Sequence, residues 1–106
     1  MPRVEYEIAL SAAGDRLRVR IMTEGGHVVD FVVQYEAVIA DAYRPIVRHD
    51  ASHGQAHRGV FSWIGDTVRK DWARPGITLG EALDEAINDL SESWARELGA
   101  FIRRQP

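Results

Sequence analysis

Apolar and polar residues alternate along the first third of the chain. Over residues 3–11, Val4, Tyr6, Ile8 and Leu10 interleave with Arg3, Glu5 and Glu7, the period of two expected of a strand with one wet face. Ala12 to Asp15 reads as a turn. Residues 16–23 alternate again, with Leu17, Val19 and Ile21 inward and Arg16, Arg18 and Arg20 outward. Opposite Glu5 and Glu7 the arginines predict cross-strand ion pairs. Gly25-Gly26 supplies the positive φ of a tight hairpin. Residues 28–38 are strand-like in β-branched and aromatic content, with Phe31, Val33 and Tyr35 on one face. Asp41-Ala42 marks a further turn. Tyr43-Arg44-Pro45 opens a fourth strand reaching about Asp50, and Pro45, lacking an N–H, suits a strand's first residues. A polar loop over 51–56 precedes two more strand patterns, 57–63 and 67–72, joined at Ile64-Gly65-Asp66.

The period then changes. Thr78 followed by Glu81 has the spacing of a capping box, and Ile77 stands where a hydrophobic staple begins. From Leu79 to Ile102, apolar residues recur every three or four positions, the stripe of an amphipathic helix. Asp84, Glu85, Asp89, Glu92 and Arg96 fall on the other side. Gly99 costs this helix about 1 kcal/mol relative to Ala unless close packing requires it. Strands first and one long helix last predict an α+β fold. It is an antiparallel meander of five or six strands curled around the C-terminal helix, one domain over residues 1–106. The expected core sets Leu83, Ile87, Leu90, Trp94 and Leu98 against Val4, Tyr6, Ile8, Val19 and Phe31.

Composition narrows the classes. The 106 residues are 45% apolar and 27% charged, near the averages of globular proteins. No apolar run approaches the ~18 residues of a membrane span. The first ten residues lack the apolar stretch of a signal peptide, so a cytoplasmic protein without membrane partners is expected. The chain has no cysteine, which removes disulfides, thiolate nucleophiles and Cys-ligated metals. Charge changes the picture more. Residues 44–74 hold six Lys or Arg against three acids, while acids predominate on either side. Three of the four histidines lie in this basic middle, a local field suited to an anionic ligand.

Within it, Arg48, His49, Asp50, His53, His57 and Arg58 crowd into eleven positions. Histidine titrates near neutral pH, arginine presents a planar fork to phosphate, and aspartate fixes an imidazole tautomer. That set is what RNA cleavage without a metal requires. His53 and His57 would serve as acid and base, Asp50 as orienting group, and Arg48, Arg58 and His49 as the substrate-binding side chains. No cofactor is expected. A structural role competes: Asp50 and Ser52 cap a turn, Arg48 pairs with Asp50 on one strand face, and His49 points to the core. The fourfold spacing of His49, His53 and His57 matches zinc ligands only on a helix, and Gly54 within a β-pattern argues against one. Trp94 belongs to the helix's apolar stripe. Trp63 and Trp72 flank the last hairpin and pack across strands or stack on bases.

The run from Tyr43 to Asp50, then His53-Gly54 and His57-Arg58, resembles a family of short prokaryotic proteins of unknown function. These share an Arg-x-Asp-x-x-His-Gly-x-x-His-Arg signature. More distantly, the order of strand, Asp, His-rich loop and helix is similar to TumE-type toxins of toxin–antitoxin pairs, with His49-Asp50-Ala51 in place of a Tyr-Asp-Asn strand end. The second resemblance implies ribonuclease activity and a cognate antitoxin-like protein. The alternative is a non-catalytic interaction module. Either way, a meander without a closing strand leaves an edge open to pairing, so a homodimer is expected.

Overall fold

The computed structural model describes residues 2–51 and 54–106. Six strands form one antiparallel sheet: β1 Arg3–Ala9, β2 Arg16–Glu24, β3 His27–Ile39, β4 Ala42–Asp50, β5 His57–Phe61 and β6 Thr67–Trp72. One helix follows, α1 Leu79–Arg103. Each strand pairs with its neighbour in sequence, in the order β1-β2-β3-β4-β5-β6. The expected meander and C-terminal helix are therefore both present.

Local chemistry sets the corners. The β1–β2 turn needs Gly14, whose φ is +101°, and a Cβ there would lie 2.8 Å from Val38. Asp15 is buried in the same turn, accepting hydrogen bonds from Tyr35 Oη and Ser11 Oγ, both at 2.6 Å. Burial and this carboxylate raise the Tyr35 hydroxyl's pKa far above its usual value. The β3–β4 turn is centred on Ala40 and Asp41, one residue earlier than expected. Both have positive φ, as a type I′ hairpin demands.

Pro45 lies inside β4 rather than near its start. Tyr35 pairs with Val47 and Glu36 with Pro45, so Ile46 is an extra residue, a β-bulge of the kind that tolerates proline. Beyond it the alternation of β4 is inverted. Arg44 stands on the helix side, donating from Nη1 to the Trp63 carbonyl at 3.0 Å. Arg48, four residues on, stands on the opposite, open face beside Gln34.

The capping box forms as expected: Glu81 N–H donates to Thr78 Oγ1 and Thr78 N–H to Glu81 Oε1, both at 3.1 Å. The helix lies over β3 and β4. Its buried residues include Ala82, Ala86 and Ser93, and such small side chains let the helix approach the sheet closely. The core joins Leu83, Leu90 and Phe101 to Leu17, Val19, Phe31, Val33, Tyr35, Ile46 and Val47. At the helix C-terminus, Trp63 stacks on Phe101 and donates from Nε1 to its carbonyl at 2.7 Å. Trp94 meets Tyr35 edge-on. Trp63 thus faces the helix, whereas Trp72 lies against His57.

The expected core overreaches at β1. Val4 is 53% and Tyr6 41% exposed, because a helix centred on β3 and β4 does not extend over the edge strand. Ile87, Trp94 and Leu98 are partly buried and flank the core.

Two stability measurements follow. Leu90 is fully buried, so Leu90→Ala should cost roughly 2–5 kcal/mol in chemical denaturation. Around Gly99 a Cβ would meet only the Arg103 guanidinium, at 3.3 Å, the far end of a flexible side chain. No close packing requires this glycine, and Gly99→Ala should stabilise the fold by about 1 kcal/mol.

Candidate functional site

β4 and β5 carry the clustered residues. Their register sets His49 opposite Arg58, Asp50 opposite His57 and Arg48 opposite Gly59. Paired residues share a face and successive ones alternate. The sheet therefore divides the cluster: His49 and Arg58 face the helix, while Arg48, Asp50 and His57 face the open side. His53 lies outside the described residues. One cleft borders His49, His57 and Arg58, and another borders Asp50 and His57.

On the helix side the centre is Asp89. His49 Nε2 approaches its Oδ2 at 2.7 Å and Arg58 Nε donates to the same oxygen at 2.9 Å. Ser93 Oγ lies 3.4 Å from Oδ1, and Arg58 Nη2 donates to Glu97 Oε1 at 3.1 Å. Burial alone would raise the Asp89 pKa, but the bonds from His49 and Arg58 outweigh it and hold the carboxyl down at about 2. Burial likewise works against the Arg58 charge, and the bonds to Asp89 and Glu97 more than compensate, raising its pKa. Arg58, expected to clamp phosphate, is thus neutralised twice over by carboxylates of α1. His49, expected to bind substrate, holds the same helix. The helical pattern alone places Asp89 on the wet side and gives Glu97 no role, whereas both carboxylates meet Arg58. The signal was there: Ala82, Ala86, Asp89, Ser93 and Glu97 continue one line of three- and four-residue steps.

The open side differs in kind. His57 Nε2 pairs with Asp50 Oδ1 at 3.1 Å, and the ring packs on Trp72 with centroids 5.0 Å apart. His57 Nδ1 is buried with no hydrogen-bond partner among the described residues. Neither ring nitrogen is therefore offered to an incoming group. Arg48 Nε donates to the Gln34 amide oxygen at 2.7 Å, and its guanidinium lies 5.4 Å from the Phe61 ring centroid. Gln34 passes the contact on, donating to Glu36 at 2.6 Å, and Arg16 neutralises Glu36 at 2.9 Å. Lys70 Nζ stands 4.5 Å over the Trp72 ring.

These groups border a cleft of about 100 Å³ lined by Arg48, Asp50, His57, Phe61, Thr67 and Lys70. Gly59 pairs with Arg48 on one side and Lys70 on the other, and its missing side chain leaves the space between them. Arg48 also borders a wider groove of about 340 Å³, with Arg18, Arg20, Gln34, Glu5 and Glu7 along it. Arg48 and Lys70 thus meet an amide and an aromatic face, whereas Arg58 meets two carboxylates. Among the described residues no three His, Asp or Glu side chains converge as metal ligands, and no helix is long and apolar enough to cross a membrane.

The Asp89 centre makes a pH prediction. A carboxyl held near 2 in the fold and near its ordinary 3.8 when unfolded stabilises the fold fully above pH 4. That contribution is lost as pH falls through 2. Discounted for its partial exposure, it is on the order of 1–2 kcal/mol. Denaturation midpoints of wild type and Asp89→Asn, measured from pH 7 to pH 2, should differ most at pH 7 and converge towards pH 2.

Comparison with known proteins adds one match. Residues 1–105 fit the family described as Domain of unknown function (DUF7718). No curated protein and no solved structure matches the chain. The six-stranded meander, its C-terminal helix and the two polar centres on β4 and β5 all lie within the matched span, and the chain belongs to the DUF7718 family.

Proposed function

We propose that the open face of the sheet binds single-stranded RNA through its phosphates, with Arg48 and Lys70 as the clamp at the cleft over Gly59. The observation that carries this reading is the uneven distribution of counter-charge. Arg58 is matched by two carboxylates, while Arg48 has an amide oxygen as its hydrogen-bond partner and Lys70 an aromatic ring. A phosphate between them would supply the missing negative charge through charge-assisted hydrogen bonds. Phe61, Trp72 and Tyr43 lie on the same face, beside Arg16, Arg18 and Arg20. Cations interleaved with aromatic platforms suit a single strand, whose backbone needs the former and whose bases stack on the latter.

Binding without cleavage fits the described residues better than a toxin-type ribonuclease does. His57 has Nε2 engaged by Asp50 and Nδ1 buried, so it holds no proton in position for a 2′-hydroxyl or a leaving oxygen. Asp50 and His57 instead brace the cleft wall. The second reading, a non-catalytic protein-interaction module, is favoured by a different feature, the exposed Val4 and Tyr6 of β1.

Fluorescence anisotropy with a labelled single-stranded oligoribonucleotide tests the proposal. Arg48→Ala and Lys70→Ala should each weaken binding about tenfold and lower the salt slope by about one. Gly59→Val, whose new Cβ meets nothing closer than 3.7 Å, should fill the cleft and weaken binding without unfolding the chain. Arg69→Ala, on the helix side of β6 and paired with Asp71, should leave affinity unchanged. Binding indifferent to Arg48, Lys70 and Gly59 would overturn the reading. Shortened RNA products, lost in His57→Ala, would establish the ribonuclease instead and make an antitoxin-like partner the next object of search.

A further inference from the structure

We infer that β1 is the interface of a two-fold dimer, in which it pairs antiparallel with β1 of a second copy of this chain and joins two sheets into one of twelve strands. The inference is independent of what the open face binds.

β1 has one hydrogen-bonded neighbour, β2. The Pro2 carbonyl accepts from Thr23 N–H and Leu10 N–H donates to Asp15, so the backbone groups of even-numbered residues turn inward. In an antiparallel strand the alternate residues then point their N–H and C=O outward. Those of Arg3, Glu5 and Glu7 form an unpaired edge, a template for another strand.

The side chains select a second copy and a register. Pairing residue 5 with its counterpart sets Arg3 opposite Glu7 of the second copy, twice over. It also sets Val4 opposite Tyr6, twice over, on the helix side where both are exposed. Opposite charges and apolar pairs directly across an antiparallel ladder are both favourable. The only like-charged pair is Glu5 with itself. Each Glu5 already accepts from its own Arg3 at 2.9 Å and faces Arg20 across β2. A shift of two residues one way sets Glu5 against Glu7 at two places. The opposite shift leaves Tyr6 opposite Pro2 and shortens the ladder. The other sheet edge offers less, since the helix side of β6 carries the charged pair Arg69 and Asp71. The two-fold axis of such a pairing runs through the sheet, so both helices fall on one side and both open faces on the other.

Amide exchange of the unmodified protein reads the interface directly. In an isolated chain only the even-numbered amides of β1 are held by β2. In the dimer those of Arg3, Glu5 and Glu7 are protected as well. Sedimentation equilibrium should give a dimer mass, and Val4→Lys, at a site exposed in the single chain, should return a monomer with unchanged circular dichroism. Because the chain has no cysteine, single introduced cysteines report register. Glu5→Cys should cross-link to its twin under mild oxidation, and Arg3→Cys mixed with Glu7→Cys should cross-link with each other, since facing positions in a ladder lie within disulfide reach. A monomer mass, or alternating protection that leaves Arg3, Glu5 and Glu7 in rapid exchange, would overturn the interface. A dimer cross-linked preferentially by Val4→Cys or Tyr6→Cys would overturn the register. RNA binding by an unmodified protein that sediments as a monomer would leave the open-face reading standing while the dimer fails.

Discussion

The extra residue at Ile46 decides which chemistry appears on which side of the sheet. A strand shifted by one position exchanges its two faces, and the bulge makes that exchange within β4. Without it, Arg48 and Asp50 would share a side with Arg44 and point at the helix. With it, His49 reaches Asp89 and Arg48 reaches Gln34. One inserted residue thus separates a charge-neutralised centre, where β4, β5 and α1 are fastened together, from a face on which Arg48 meets an amide and Lys70 an aromatic ring instead of a carboxylate. Ile46 and Val47 are both fully buried, so the irregularity is packed into the core.

The two centres use the same residue types to opposite effect. Arg58 is held between Asp89 and Glu97, and its charge does structural service: it offsets the burial of those carboxylates and draws α1 onto β5. A partly buried arrangement of this sort is costly to break from one side, because the remaining charge is left without its partner. Arg48 belongs to a relay of side chains, Arg48 to Gln34 to Glu36 to Arg16. In that relay each polar group orients the next, and the guanidinium edge keeps its remaining donors for the groove. A charge count over the segment treats the two arginines alike, whereas their partners distinguish them.

Much of the architecture was legible in the sequence because it rests on local periodicity. The alternation of Val4, Tyr6, Ile8 and of Leu17, Val19, Ile21, the paired glycines, and the Thr78–Glu81 box each specify an element through neighbours a few residues away. The site was legible only in its membership. Arg48, Asp50 and His57 do share a face, as alternation within β4 and across the β4–β5 pair requires. Alternation within β4 also sends His49 to the helix side, as the structural reading of the segment has it, whereas the side taken by Arg58 depends on the register between two strands. Asp89 escaped because a carboxylate on an amphipathic helix reads as solvated unless its buried partners are known, and those lie 31 and 40 residues away. Pro45 was the one local sign of the bulge, since a proline within a strand pattern marks an edge, a start or an irregularity. The uncovered state of β1 was equally out of reach, for it depends on where the helix comes to rest.

The nearest-neighbour order of the strands has a consequence for how the chain is made. Every sheet contact joins adjacent segments, so hairpins form successively as the polypeptide leaves the ribosome, with little loop-closure entropy to overcome. The helix is synthesised after all six strands, and among the described residues it is what covers the apolar side of β3 and β4. Until residues 79–103 emerge, a nearly complete sheet presents Phe31, Val33, Tyr35 and Val47 to water, the kind of transient surface that invites aggregation or chaperone capture. Docking of the helix, rather than completion of the sheet, is then the step that commits these residues to their folded state.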